Sequence, residues 1–106
     1  MRKNEANVEL LLREVKVVHN DIEFKFNEGT INHMINRDHV THIMEHWRLK
    51  NENEAVSLIE EAVKYGKQVR PGKKEGYIVY EYYKNGKRLE FILDYHENVI
   101  VSVYPD

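Results

Sequence analysis

The chain reads as an α+β domain in which N-terminal helices pack on one face of a C-terminal antiparallel β-meander. Through about residue 65 the apolar positions recur at i, i+3, i+4 and i+7, the period of an amphipathic helix. From Tyr77 onward the residues are instead β-branched and aromatic, with Asn85-Gly86 between two such runs. A length of 106 residues with 42% apolar content suffices for one packed core and is too small for two, so 1–106 is expected to be a single domain. Within it, 1–29 should hold a helix and a short strand or hairpin, 30–66 helices, and 67–106 a basic loop followed by a three-stranded meander.

Val8, Leu11, Leu12 and Val15 predict a helix over about 4–15. Val15 to Val18 and Ile22 to Phe26 then alternate with period two around His19-Asn20-Asp21, the pattern of a short hairpin or an edge strand. After the turn at Asn27-Glu28-Gly29 the chain enters its richest stretch, Thr30 to Trp47, which holds four of the six histidines. Ile31, Met34 and Ile35, then Val40, Ile43, Met44 and Trp47, repeat helically with a break at Asn36-Arg37-Asp38. Thr30 and Asp38 are good N-cap types, so a short helix over about 30–36 and a longer one over about 38–49 are expected. Trp47 closes the apolar stripe and reads as core rather than as a ligand platform. His39, His42 and His46 fall on a stripe beside the apolar one, and His33 lies one short helix upstream.

A further helix over about 53–65 follows from Ala55, Val56, Ile59, Ala62 and Val63. Asn51 with Glu54 resembles a capping box, and Gly66 suits a left-handed C′ position. Lys67 to Gly76 is a basic loop that can begin with a short strand. Asn85-Gly86 as a two-residue turn pairs Tyr82 with Leu89, Tyr80 with Phe91 and Ile78 with Leu93 on the core face. Val79, Glu81, Tyr83, Arg88, Glu90 and Ile92 take the other face, with Glu81 opposite Glu90. Two facing carboxylates need a cation between them, and Arg88, Lys84 or a histidine can supply it. A three-residue turn at His96-Glu97-Asn98 would place Val99, Val101 and Val103 on the core face and turn Ile100, Ser102 and Tyr104 to the polar one.

Composition excludes several classes. Without cysteine there is no disulfide framework and no thiolate-held zinc. No apolar run approaches the ~18–20 residues of a membrane span, and MRKNEANVELLL lacks the apolar core of a signal peptide. A soluble, cytoplasmic protein with no membrane partner is expected, or a module delivered by another protein. The net charge is −2, yet Lys64 to Arg88 carries eight basic residues against Glu75 and Glu81. Such a strip can hold a phosphate backbone on an acidic body, or serve only as a solvated loop and turn.

Metal-independent cleavage of RNA needs a base for the 2′-hydroxyl, an acid for the leaving oxygen and cations for the phosphate. Histidines near a basic loop and a polar sheet face supply these types. Metal ligation competes for the same residues, since His42 and His46 stand at i, i+4 with His39 one turn before. HIMEH is not HEXXH, however, and no third ligand is fixed, so no metal and no cofactor are expected. The tyrosines invite base stacking, but strand preference accounts for most of them.

The order of helices, the histidine segment, EAVSLIEEAVKYGK, the basic loop and GYIVYEYYKNGKRLEFILDYHENVIVSVYP resembles the small toxin nucleases of the barnase, EndoU, colicin and RelE type, including C-terminal modules of bacterial polymorphic toxins. The resemblance spans roughly 24–105. It rests on a histidine in the first helices and a last strand ending in Ser/Thr, one residue, an aromatic and Pro. It implies a ribonuclease toxin that takes RNA as substrate and has a cognate inhibitor or antitoxin as partner. His33 or His39 would match the family's histidine, and Ser102 and Tyr104 its last-strand positions, making these four the expected catalytic residues. Arg70, Lys73 and Arg88 are expected to bind the substrate phosphates. The chain lacks EndoU's glycine-histidine motif, and no glutamate is matched to barnase's base. The other reading is a non-enzymatic protein-binding module, an immunity or antitoxin protein or a phage-encoded inhibitor.

Overall fold

A computed structural model describes residues 5–106. The expected helix start at Asn4, like the first residues weighed as a signal peptide, lies outside the described residues. Helix α1 (Glu5–Arg13) is followed by a hairpin of β1 (Val17–His19) and β2 (Ile22–Phe24). Its turn, Asn20-Asp21, has φ of 52° and 64°, both in the left-handed region that a tight primed turn requires and that Asn and Asp tolerate. Three helices follow: α2 (Glu28–Asn36), α3 (His39–Trp47) and α4 (Glu52–Tyr65). The chain ends in β3 (Lys67–Pro71), β4 (Tyr77–Lys84), β5 (Lys87–Asp94) and β6 (Val99–Pro105). The fold is α+β, as the sequence predicts. Its sheet has four antiparallel strands in the order β3-β4-β5-β6 rather than three, because Lys67 to Pro71 pairs with β4.

The β4–β5 hairpin has the predicted register. Tyr82 faces Leu89, Tyr80 faces Phe91, Ile78 faces Leu93, and Glu81 stands across from Glu90. Asn85 and Gly86 have φ of 54° and 76°, which is why these two residue types occupy the turn. Tyr80, Leu89, Phe91 and Leu93 are buried against Ala55, Leu58, Ile59, Ala62 and Val63 of α4, with Phe91 stacked on Tyr80 at 5.1 Å. The Trp47 indole packs on this core and donates to the Lys84 carbonyl at 2.8 Å.

Three local expectations need correction. Gly66 is extended (φ −64°, ψ 156°) rather than left-handed. Glycine is required there because a Cβ would lie 2.4 Å from the Phe91 ring and 2.7 Å from the Ala62 carbonyl. The N-cap of α2 is Asn27, whose side chain accepts from the Thr30 amide while the Thr30 hydroxyl answers the Asn27 amide, so Thr30 is the far half of the capping box. In the second hairpin Asp94 pairs with Val99, a turn one residue longer than expected, tied by the Asp94 carboxylate to the amides of His96 and Glu97. A bulge then absorbs Val101, so Ile100 rather than Val101 enters the core. Ser102 still faces Ile92, and Val103 still faces Phe91.

Helices α2 and α3 lie against β6, while α4 packs on β1, β4, α1 and α3. Lys25, just after β2, bridges to Val99, and its carbonyl accepts from Ile100 at 3.0 Å, covering part of the β6 edge. Further along β6 the Val103 amide points at the Met34 sulfur, 3.4 Å away. The open face of the sheet thus becomes a trough between the β3–β4 loop and α2–α3. Among the described residues no helix is long and apolar enough to cross a membrane.

Replacing Asn85-Gly86 by Val-Val places two β-branched residues in left-handed backbone. We expect a loss of about 1–2 kcal/mol per residue, read as a lower urea midpoint with unchanged slope.

Candidate functional site

The candidate site forms where α2 and α3 meet β6. On a continuous helix His33 and His39 would stand about 9 Å apart along the axis and about 240° around it, out of reach of one another. Asp38, with φ of 55°, breaks the helix in the left-handed region and serves as N-cap of α3. The two imidazoles consequently meet with ring centroids 5.2 Å apart at 64°.

The last strand supplies the opposite wall. His33 Nε2 and Ser102 Oγ share a hydrogen bond of 3.0 Å, and the His39 ring lies 5.6 Å from the Tyr104 ring. Ser102 is buried, and His33 is the partner that satisfies its hydroxyl. All four residues expected to be catalytic are therefore brought together, from three elements spread over seventy positions of sequence.

At the centre of the trough lies Glu90. It is 6% exposed and, among the described residues, the one charged side chain that is buried. One carboxylate oxygen accepts from the Tyr104 hydroxyl. The other accepts from Arg88 and, at 3.4 Å, from Arg70. Burial alone would raise this carboxyl, but the Tyr104 hydroxyl and the two guanidiniums hold it below the usual range, so it is ionised at neutral pH. Burial, reinforced by the same hydrogen bond, pushes Tyr104 up to about 12 and keeps its hydroxyl a donor.

Arg88 fulfils the expectation of a cation between Glu81 and Glu90. Its Nε is 3.3 Å from Glu81 in an ion pair without hydrogen-bond geometry, and its Nη1 is 2.9 Å from Asp106. Expected to bind substrate, it is held among three carboxylates. Arg70 is 52% exposed, and with exposed Lys73 and Tyr104 it lines a hollow of about 400 Å³ on the open face.

Both histidines are driven toward neutrality. For His33 the cause is burial, then the charge of Arg37. For His39 burial comes first, followed by His33, His42 and Arg37, and it is pushed down to about 4. His39 Nδ1 is buried with no hydrogen-bond partner, a costly state for a ring nitrogen. His42 and His46 are exposed, the latter packed on Trp47 at 5.0 Å. Among the described residues no group of three or more His, Asp or Glu is placed to hold a metal ion. A separate hollow of about 440 Å³ between Trp47, Leu58, Glu61 and Lys84 contains no histidine.

Glu90 and Asp106 are the members that sequence reasoning missed. The signal for Glu90 was present in its position across from Glu81, and the register places Tyr104 on its other side. No protein-family model, curated protein or solved structure matches the chain.

Because the folded state holds His39 below its ordinary 6.5, the unfolded chain binds that proton first. Stability is then full above about pH 6.5 and declines as pH falls toward about 4. We expect the His39 ring protons to titrate by NMR near that lower value, and the urea midpoint of His39→Gln to vary less across the window. A His39 midpoint at 6.5 or above would contradict the burial described.

Proposed function

We propose that the chain is a metal-independent endoribonuclease domain of the small bacterial toxin type, cleaving RNA by histidine acid/base chemistry. The observation that carries this reading is the meeting of His33 and His39 beside Ser102 and Tyr104 at the edge of a trough flanked by Arg70 and Lys73. RNA supplies its own nucleophile, the 2′-hydroxyl, so the protein need only move two protons and balance charge on the phosphorus oxygens.

In the reaction the 2′-oxygen bonds to phosphorus as the bond from phosphorus to the 5′-oxygen breaks. One imidazole takes the 2′-hydroxyl proton, and the other delivers a proton to the departing 5′-oxygen. The products are a 2′,3′-cyclic phosphate and a 5′-hydroxyl. Two rings 5.2 Å apart in a half-buried site disfavour double protonation, so on the acid side of neutrality the pair takes up a single proton, one ring then serving as acid and the other as base. A bound phosphodiester anion raises both groups and offsets their burial. Arg70 and Lys73 bind the phosphate, Ser102 orients His33, and Tyr104 positions the scissile group from its anchor on Glu90. Arg88 holds the Glu90 carboxylate in place.

Wild-type protein should cleave total RNA in EDTA, with kcat/KM highest on the acid side of pH 6.5, because both histidines are lowered. Each of His33→Ala and His39→Ala should cost about 10²–10³ in rate, and the double variant should be inactive. Equal activity in wild type and double variant, or no wild-type cleavage at any pH from about 4 to about 8, would sink this reading in favour of a protein-binding module.

A further inference from the structure

The hollow beside the proposed cleavage site has its own chemistry, distinct from that of the proton-transfer groups. It is lined by Val79 and Ile92, cross-strand neighbours on the open face, together with Tyr77 and Tyr104. The β3–β4 loop forms the side wall and brings Lys73 and Lys74 to the rim, and no carboxylate is among the lining residues. Flat apolar surface beneath a cationic rim suits an aromatic heterocycle attached to an anion. A volume of about 400 Å³ lies at the small end of ligand pockets and suits one monomer unit rather than a helix or a folded surface.

The wall is built before any ligand arrives. Gly72 donates to the Tyr77 carbonyl at 2.7 Å, and the Tyr77 amide donates to Lys74 at 3.0 Å, closing the loop on itself. A Cβ on Gly72 would lie 2.6 Å from the Cβ of Tyr77, so only glycine lets the loop lie this close to the strand. The Lys74 ammonium stands over one face of the Tyr77 ring, 5.7 Å from its centroid, so a base would stack on the opposite face. Preorganisation of this kind lowers the ordering cost of binding.

We propose that this hollow is a nucleobase subsite. It seats one unpaired base of single-stranded RNA next to the scissile phosphate, with Tyr77 as the stacking platform, Lys74 on an adjoining phosphate and Lys73 between that phosphate and the scissile one. Tyr104 is shared between the subsite and the cleavage site, which fixes the base one nucleotide from the reacting phosphorus. Duplex RNA is excluded, because its bases are stacked and its rods are too wide for a hollow of this size. The wall offers shape and stacking rather than a side-chain hydrogen-bond code, so purines and pyrimidines are both accepted.

This inference rests on the RNA-cleaving reading for its ligand, and its test uses binding without cleavage. Uncleavable 2′-O-methyl oligouridylate and oligoadenylate, labelled for fluorescence anisotropy, are titrated with the whole protein beside a fully abasic 2′-O-methyl ribose-phosphate oligomer of equal length. Wild type should bind the base-bearing oligomers roughly tenfold more tightly than the abasic one. Tyr77→Ala should abolish that difference, Tyr77→Phe should keep it, and Lys73→Glu should weaken all three ligands together. Equal binding of base-bearing and abasic oligomers by wild type overturns the subsite and needs no variant to fold. An undiminished preference in Tyr77→Ala, or no binding of any oligomer, also overturns it. Cleavage of RNA with base-independent binding would sink the subsite alone. Base-dependent binding without cleavage would sink the nuclease reading alone.

Discussion

The buried carboxylate of Glu90 is the constraint around which the open face is arranged. An ionised group in that position is tolerable only if its oxygens are answered by charged or strong donors. The answers come from three other parts of the chain: Arg88 on the same strand, Arg70 on β3 and the Tyr104 hydroxyl on β6. Arg88 in turn draws in Glu81 and the Asp106 carboxylate, so Asp106 is fastened to the start of β5. A surface ion pair contributes little because both partners are well solvated without it. Here the carboxylate is desolvated, and its partners are oriented by one shared centre. The phenol facing His39 is consequently fixed at its hydroxyl end.

The second constraint is the break between α2 and α3. The apolar stripes of both helices must face β6 and α4, as the burial of Ile31, Met34, Val40 and Ile43 shows. A straight helix would carry His33 and His39 to different sides. One residue in left-handed backbone lets both apolar faces reach the core and brings the imidazoles together above it. The lowered proton affinity of both rings follows from the same packing that holds the helices down.

Much of this was legible from residue patterns. The β4–β5 register could be read because Asn85-Gly86 admits one turn type and period-two alternation leaves one way to face the core. The grouping of His33 and His39 with Ser102 and Tyr104 was expected as residue types, although nothing local fixes a contact across seventy positions. What escaped was non-local or required extra backbone. A short strand at Lys67 could be read, but its pairing with β4 could not, since it is exposed along its whole length; the bulge at Val101 leaves no mark in the alternation, and the extended Gly66 answers to the Phe91 ring. The need of Glu90 for a cation was legible from Glu81 across the strand pair, but its burial was not, because that depends on Tyr104 from β6 and Arg70 from β3.

Taken together, the open face combines a close imidazole pair, a phenol held as donor, exposed cations and a small apolar hollow, which are the groups that the proposed transfer of two protons on single-stranded RNA would use. The end groups of the cut RNA test this most directly. After incubation in EDTA, mass spectrometry of a short defined RNA should find 2′,3′-cyclic phosphate and 5′-hydroxyl ends. Intact RNA, or ends bearing a 3′-hydroxyl and a 5′-phosphate, would contradict a mechanism in which the 2′-hydroxyl is the nucleophile and the histidines carry its proton.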